Sequence, residues 1–195
     1  MTLGRLWWKI VEKSTEIFFQ RSRVIFYSML SNIKISARKN QPVLSNGDGR
    51  IKVGKNVVFG VRYANDYYTR YTLLNVRNAQ SYIEIGDNCQ INNNFTVISD
   101  GQKITVSKNC LIGNDVTIID SDFHDLGVDS RYGGQNIIKK DVFIAENVFI
   151  GSHVTILKGV TIGKNSVVGS NTVVNNDVPE NVIVVGNPAK VLRHL

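Results

Sequence analysis

From Ile85 onward, an aliphatic residue returns at every sixth position. The first run is Ile85, Ile91 and Val97, and the second is Val106, Ile112 and Ile118. The third runs unbroken through Ile138, Ile144, Ile150, Ile156, Ile162, Val168 and Val174. A helix repeats near 3.6 residues and a strand at 2, so neither explains a period of six. Four places after most of these aliphatic residues comes a small or β-branched one: Cys89, Cys110, Val116, Val142, Val148, Val154, Val160, Ser166, Thr172. Glycine follows the aliphatic residue at 86, 113, 151, 163 and 169. Each hexad therefore predicts a short strand and a turn, and three hexads predict one triangular coil. Coils stack about 4.8 Å apart, with ladder hydrogen bonds between them and aliphatic columns inside. The predicted fold is mainly β, a parallel β-helix of hexapeptide repeats.

The phase breaks twice. Val97 to Val106 spans nine residues around "SDGQ", and Ile118 to Ile138 spans twenty. The second gap holds "DSDFHDLGVDSRYGGQN", polar and glycine-containing. A loop thrown out of a regular stack is the first place to look for chemistry.

Upstream, the pattern changes. Leu3, Leu6, Trp7, Ile10, Val11, Ile17, Phe18 and Ile25 follow 3–4 spacing, which predicts an amphipathic helix from residue 3 to about 30. Arg5, Lys9, Glu12, Lys13, Glu16, Gln20 and Arg23 fill its other side, with Trp8 and Phe19 at the border. Such a helix packs on its own domain or a neighbouring subunit, or lies on a membrane surface with rings at headgroup depth. Next, "RIKVGKNVVFG" has repeat character and "VRYANDYYTRYTLLNVRNAQ" breaks it. Tyr63, Tyr67, Tyr68 and Tyr71 with Arg62 and Arg70 form either a tucked loop or a lining for a sugar or polyanion. The expected organisation is a basic helical segment at 1–40, a transitional segment with a partial first coil at 41–84, and the β-helix domain at 85–195. That domain includes the loop 119–137 and a C-terminal tail.

Charge sharpens this division. The chain of 195 residues has a formal net charge of +7. Residues 1–40 hold eight basic residues against Glu12 and Glu16, whereas the remainder is nearly balanced. A basic arm on a neutral body suits a surface anchor and argues against nucleic acid. Cys89 and Cys110 form no CxxC pair and share one repeat phase, as buried thiols in a reducing compartment would. No uncharged run reaches the length of a spanning helix, and "VIFYSML" at 24–30 is not followed by a cleavage site.

The uninterrupted hexads, the extruded loop with its histidine, and the tail "VPENVIVVGNPAKVLRHL" resemble the hexapeptide-repeat acyltransferases. Within them, the maltose/galactoside O-acetyltransferases and polysaccharide O-acetyltransferases are most similar. The resemblance covers roughly residues 50 to 195 and leaves out the N-terminal helix. It implies a left-handed coil, an exception to right-handed crossovers, a homotrimer with sites between neighbouring prisms, and acetyl-CoA as donor with no metal required. It implies that His124 is the base that takes the acceptor's proton, a task imidazole suits, and that Asn92 contacts the acceptor. Asp120 and Asp122 are candidates to orient the ring, and Asp100 matches an acidic position near the cofactor. Gly151, Ser152, Gly169 and Ser170 match positions along the pantetheine arm, and Lys190 and Arg193 match positions that meet coenzyme phosphates. Asn175-Asn176 depart from the Thr-Lys common in relatives, so one expected phosphate contact is either missing or supplied elsewhere.

The expected activity is transfer of an acetyl group to a sugar hydroxyl of a bacterial surface polysaccharide or its lipid-linked precursor. The expected location is cytoplasmic, with peripheral contact at the inner face of the membrane as an option. N-acetylation of an amino sugar and a non-catalytic trimeric scaffold are the alternatives. A metalloenzyme on the same prism needs about three convergent histidines, and only His124 and His153 lie in the coil region.

Overall fold

The computed structural model describes residues 3–133 and 135–195. Met1, Thr2 and Gly134, which fall within the segments 1–40 and 119–137, lie outside the described residues. The chain winds into a three-sided parallel β-helix. Face A stacks Arg38–Lys39, Val58–Phe59, Gln90–Ile91, Leu111–Ile112, Phe149–Ile150, Val167–Val168 and Val182–Val185. Face B stacks Val43–Gly47, Thr72–Val76, Thr96–Ser99, Thr117–Ile119, Thr155–Ile156 and Val173–Val174. Face C stacks Arg50–Val53, Tyr82–Ile85, Lys103–Val106, Val142–Ile144 and Thr161–Ile162. The last strand, Lys190–His194, turns back antiparallel on Val182–Val185.

Register produces the columns that the hexads predict. On face A, Phe59, Ile91, Ile112, Ile150, Val168 and Val184 lie one above another. On face B the column is Leu74, Val97, Ile118, Ile156, Val174, and on face C it is Ile85, Val106, Ile144, Ile162. All of these are buried, as are the small or β-branched residues four places further on. The turns between faces C and A put Asn56, Asn88, Asn109, Asn147, Asn165 and Asn181 in the left-handed region. Asparagine tolerates that conformation, and the amides of Asn56, Asn88, Asn147 and Asn165 bond to the asparagine of the next coil. Asn56 donates to Asn88 at 3.0 Å and Asn165 to Asn181 at 2.8 Å. Between A and B the coils touch backbone to backbone: a Cβ on Gly113 would lie 2.6 Å from the carbonyl carbon of Gly151.

Three features differ from the sequence expectation. Ile138 is 47% exposed. It stands in hexad phase but outside the prism, because the chain rejoins face C only at Val142. Parallel pairing also reaches back to Arg38. The insertion at 61–71 hides these first strands from a six-residue count, since it leaves the stack at the corner between faces A and B.

The third difference is the way the helix docks. It runs Leu3–Ser14 as α, Thr15–Gln20 as a π-helical turn and Arg21–Leu30 as α. It faces the prism with polar residues. The Tyr63 hydroxyl bonds to Glu12, and the Tyr67 hydroxyl donates to Glu16 at 2.8 Å. Buried Gln20 donates to the carbonyls of Tyr67 and Asn40 at 2.8 and 3.0 Å. Arg23 donates to the Arg70 carbonyl at 2.7 Å, and the rings of Tyr27 and Tyr71 lie 4.8 Å apart. The inward series 12, 16, 20 has a spacing of four, which the wider π turn keeps in line. The tyrosine segment is thus a tucked loop that saddles the helix. Buried Asn93 anchors it, donating to the Val61 and Asn65 carbonyls and accepting the Val61 N–H.

Candidate active site

The extruded loop leaves face B after Thr117–Ile119 and is shaped by carboxylates. Asp120 is fully buried and accepts the N–H groups of Asp100 at 2.8 Å and Gln102 at 3.2 Å, tying two coils. Burial pushes its carboxyl above the usual aspartate range, against the pull of those bonds. Asp122 pairs with Lys158 at 2.5 Å, both side chains being about four-fifths buried. Neither aspartate is bonded to His124. Asp100 at the same corner meets Lys139 at 2.8 Å and accepts from Ser121 and Asn78 at 3.3 Å.

The residue before the histidine is strained. Phe123 has φ +60°, a conformation that bulky side chains avoid. The Ser121 hydroxyl, which accepts the Phe123 N–H at 2.9 Å, and Arg77, whose guanidinium lies 4.4 Å over the Phe123 ring, hold it there. This turn projects His124 out of the stack, where its ring is exposed. Its Nδ1 lies 3.3 Å from the carbonyl oxygen of Arg131. A carbonyl only accepts, so this contact selects the tautomer protonated at Nδ1 and leaves the Nε2 lone pair free. Asp125 fixes the far side of the loop: it accepts the Gly127 N–H at 2.8 Å and the Asn136 N–H at 3.2 Å. His124, Asp125, Leu126, Arg131 and Tyr132 line a cleft of about 390 Å³. The orienting group is therefore a backbone carbonyl seven residues downstream, which no side-chain motif announces.

The other expected site residues lie elsewhere. Asn92, Gly151, Ser152, Gly169 and Ser170 follow face A strands at the A/B corner, whereas His124 follows a face B strand at the B/C corner. One prism face, about 20 Å at roughly 3.3 Å per residue, separates the two sets within one chain. Asn92 spends its side-chain oxygen on the Asn93 N–H at 2.8 Å and takes no part in the turn ladder; its neighbour Asn94 does, donating to Asp115 at 2.7 Å. A Cβ on Gly151 would meet the Ser170 nitrogen at 2.7 Å, so stacking alone requires that glycine. Ser170 Oγ accepts the Ser152 N–H at 3.2 Å. Lys190 and Arg193 are exposed on the terminal antiparallel strand. His153 is a turn residue in the left-handed region, 3.0 Å from Asp115. Among the described residues no three His, Cys, Asp or Glu side chains converge as metal ligands would.

The family model described as bacterial transferase hexapeptide (six repeats) matches residues 141–176. A hexapeptide-repeat acetyltransferase of Vibrio cholerae O1 biovar eltor, solved in complex with acetyl coenzyme A, is 28% identical at a TM-score of 0.54, over 91% of this chain and 79% of its own. The chain thus carries the hexapeptide repeat of bacterial transferases and is similar to hexapeptide-repeat acetyltransferases over most of its length. Two more distant structures share its left-handed β-helical fold. The polySia-specific acetyltransferase NeuO is 24% identical over 82% of this chain and 86% of its own, at a TM-score of 0.55. A galactoside acetyltransferase in complex with coenzyme A is 23% identical over 92% and 82%, at 0.54. No curated protein matches the sequence.

Proposed function

We propose that this acyltransferase moves an acetyl group from acetyl-CoA to a sugar hydroxyl, in a cleft shared between copies of a homotrimer. The observation that carries the reading is the His124–Arg131 contact, which leaves Nε2 as a base at the end of an extruded loop. Nε2 takes the proton of the acceptor hydroxyl as its oxygen attacks the thioester carbonyl carbon. The carbonyl electrons move onto oxygen, where backbone N–H groups stabilise the anion. The tetrahedral adduct then collapses, its C–S bond breaks, and the imidazolium returns the proton to the departing thiolate. The similarity to an acetyl-CoA-bound relative supports the donor.

The separation of Asn92 and His124 at the two ends of face B supports the shared cleft. Face A presents the exposed side chains of Leu111 and Phe149 in register, and the loop presents exposed Leu126, Val128 and Tyr132. Such surfaces suit contact between copies. A neighbour's A/B corner would bring Asn92, the Gly151-Ser152 and Gly169-Ser170 turns, and Lys190 and Arg193 toward His124.

Thiol release from acetyl-CoA, measured with a panel of hydroxyl and amino sugars, tests the assignment. Hydroxyl acceptors should support turnover, and His124→Ala should lower it by about 10²–10⁴-fold. Equal turnover by wild type and variant would refute the base. Amine-only turnover would replace O- with N-acetylation. Mixed refolding of His124→Ala with Asn92→Ala chains should restore part of the activity, because some clefts then combine two intact halves.

A further inference from the structure

The N-terminal helix meets the prism with its polar side and turns its apolar side outward. Trp7 is 66% exposed, Ile10 57%, Phe18 76% and Met29 75%. Charge is sorted in the same sense. The two acids of the helix, Glu12 and Glu16, are engaged by Tyr63, Tyr67 and Arg62 on the inner side. Arg5, Lys9, Lys13 and Arg21 are exposed. Among the described residues none of these four has a carboxylate within ion-pair distance. The positive surface continues beneath the helix, where Arg21, Arg38 and Lys39 help line a cleft of about 520 Å³ that holds one carboxylate, Glu16. Burial, then the nearby Lys34 charge, lowers the pKa of Lys39.

We infer that this helix docks the enzyme on an anionic lipid surface, with its outward apolar side chains at the acyl boundary and its four free cations at the headgroups. A helix of 28 residues from Leu3 to Leu30 is about 40 Å long at 1.5 Å per residue, and it lies in the interface plane. No helix among the described residues is long and apolar enough to cross a membrane, so the contact is peripheral. Charge selects this occupant over a second copy, since two such faces would oppose eight cations without an acid between them. The inference does not depend on which residue is the base.

The chain has two tryptophans, and they are Trp7 and Trp8, exposed at 66% and 64%. Tryptophan fluorescence of the full chain, excited to the red of tyrosine absorption, therefore reads this surface alone. Vesicles of phosphatidylglycerol and phosphatidylcholine should shift the emission to the blue and protect it from iodide. Pure phosphatidylcholine vesicles should do so weakly, and added salt should reverse the effect. Co-sedimentation with the anionic vesicles should weaken roughly fivefold for each cation removed in Lys9→Gln and Lys13→Gln, and Phe18→Glu should abolish it. These variants should keep wild-type thiol release with a soluble acceptor, and His124→Ala should bind vesicles like wild type. The inference is overturned by unchanged emission with anionic vesicles, by equal binding to neutral ones, or by a blue shift that grows with protein concentration in the absence of lipid.

Discussion

Ile138 and Ile156 are three hexads apart, so a six-residue count treats them as equals, but the structure does not. Ile156 is fully buried between Ile118 and Val174, whereas Ile138 is 47% exposed. Replacing Ile156 with alanine removes three buried carbons, a transfer loss of about 2.4 kcal/mol at roughly 0.8 per methylene. The strand is paired on both sides, at Thr117 and Val173, so the void cannot close easily and adds about 1–2 kcal/mol. The expected loss is about 4 kcal/mol. Ile138→Ala strips carbons that are already half in water and leaves no enclosed void, so about 1 kcal/mol is expected. Urea unfolding at one protomer concentration measures both, as midpoint shifts at constant slope. Equal losses at the two positions, or a loss below about 1.5 kcal/mol at Ile156, would refute the assignment of one residue to the core and the other to the loop.

Other consequences are as definite. Asp125→Ala frees the Gly127 and Asn136 amides and slackens the loop that brings the Arg131 carbonyl to His124; kcat should fall by up to about 10²-fold with little change in KM for acetyl-CoA, in steady-state kinetics. The bond from the Gly127 N–H, chiefly, holds the Asp125 carboxyl below the usual aspartate range. Its contribution to stability is therefore full above that range and is lost as pH falls through the lowered value, so the gap in urea midpoint between wild type and Asp125→Asn should close only in strong acid. Lys158→Met leaves Asp122 largely buried without its cation and should cost about 2–3 kcal/mol; adding Asp122→Asn should recover most of it in the same unfolding assay. Cys89 and Cys110 are free and fully buried, and the neighbouring Cys89, then burial, raises the Cys110 thiol; a thiol reagent should find neither in the native protein and both in urea, which keeps the thiol-release assay free of background.

The stack was legible from Ile85 to Val174 because coil geometry imposes its period on the residues directly. It was only partly legible from Arg38 to Ile85: residues 50–60 show repeat character, but an eleven-residue corner insertion, 61–71, breaks the phase without breaking the coil. Ile138 shows the converse: a residue can keep phase by coincidence when no strand is there to use it. The histidine was visible as a lone imidazole in a polar loop. Its partner was not, since the Arg131 carbonyl carries no residue-type signal. Amphipathicity placed the helix but not its orientation, because a periodic stripe shows which side is apolar and not what that side meets. Here Glu12, Glu16 and Gln20 found polar partners in a tyrosine loop, and the stripe was left outside.

The reversed strand Lys190–His194 has a role apart from the coenzyme. A stack of parallel coils has no natural length: each outermost rung bares a row of amides and carbonyls ready to accept another. By folding back in the opposite sense on Val182–Val185, Lys190–His194 covers the last parallel rung of face A with an antiparallel strand, which withholds that rung from a neighbouring molecule's coil and guards this face against end-to-end fibre growth.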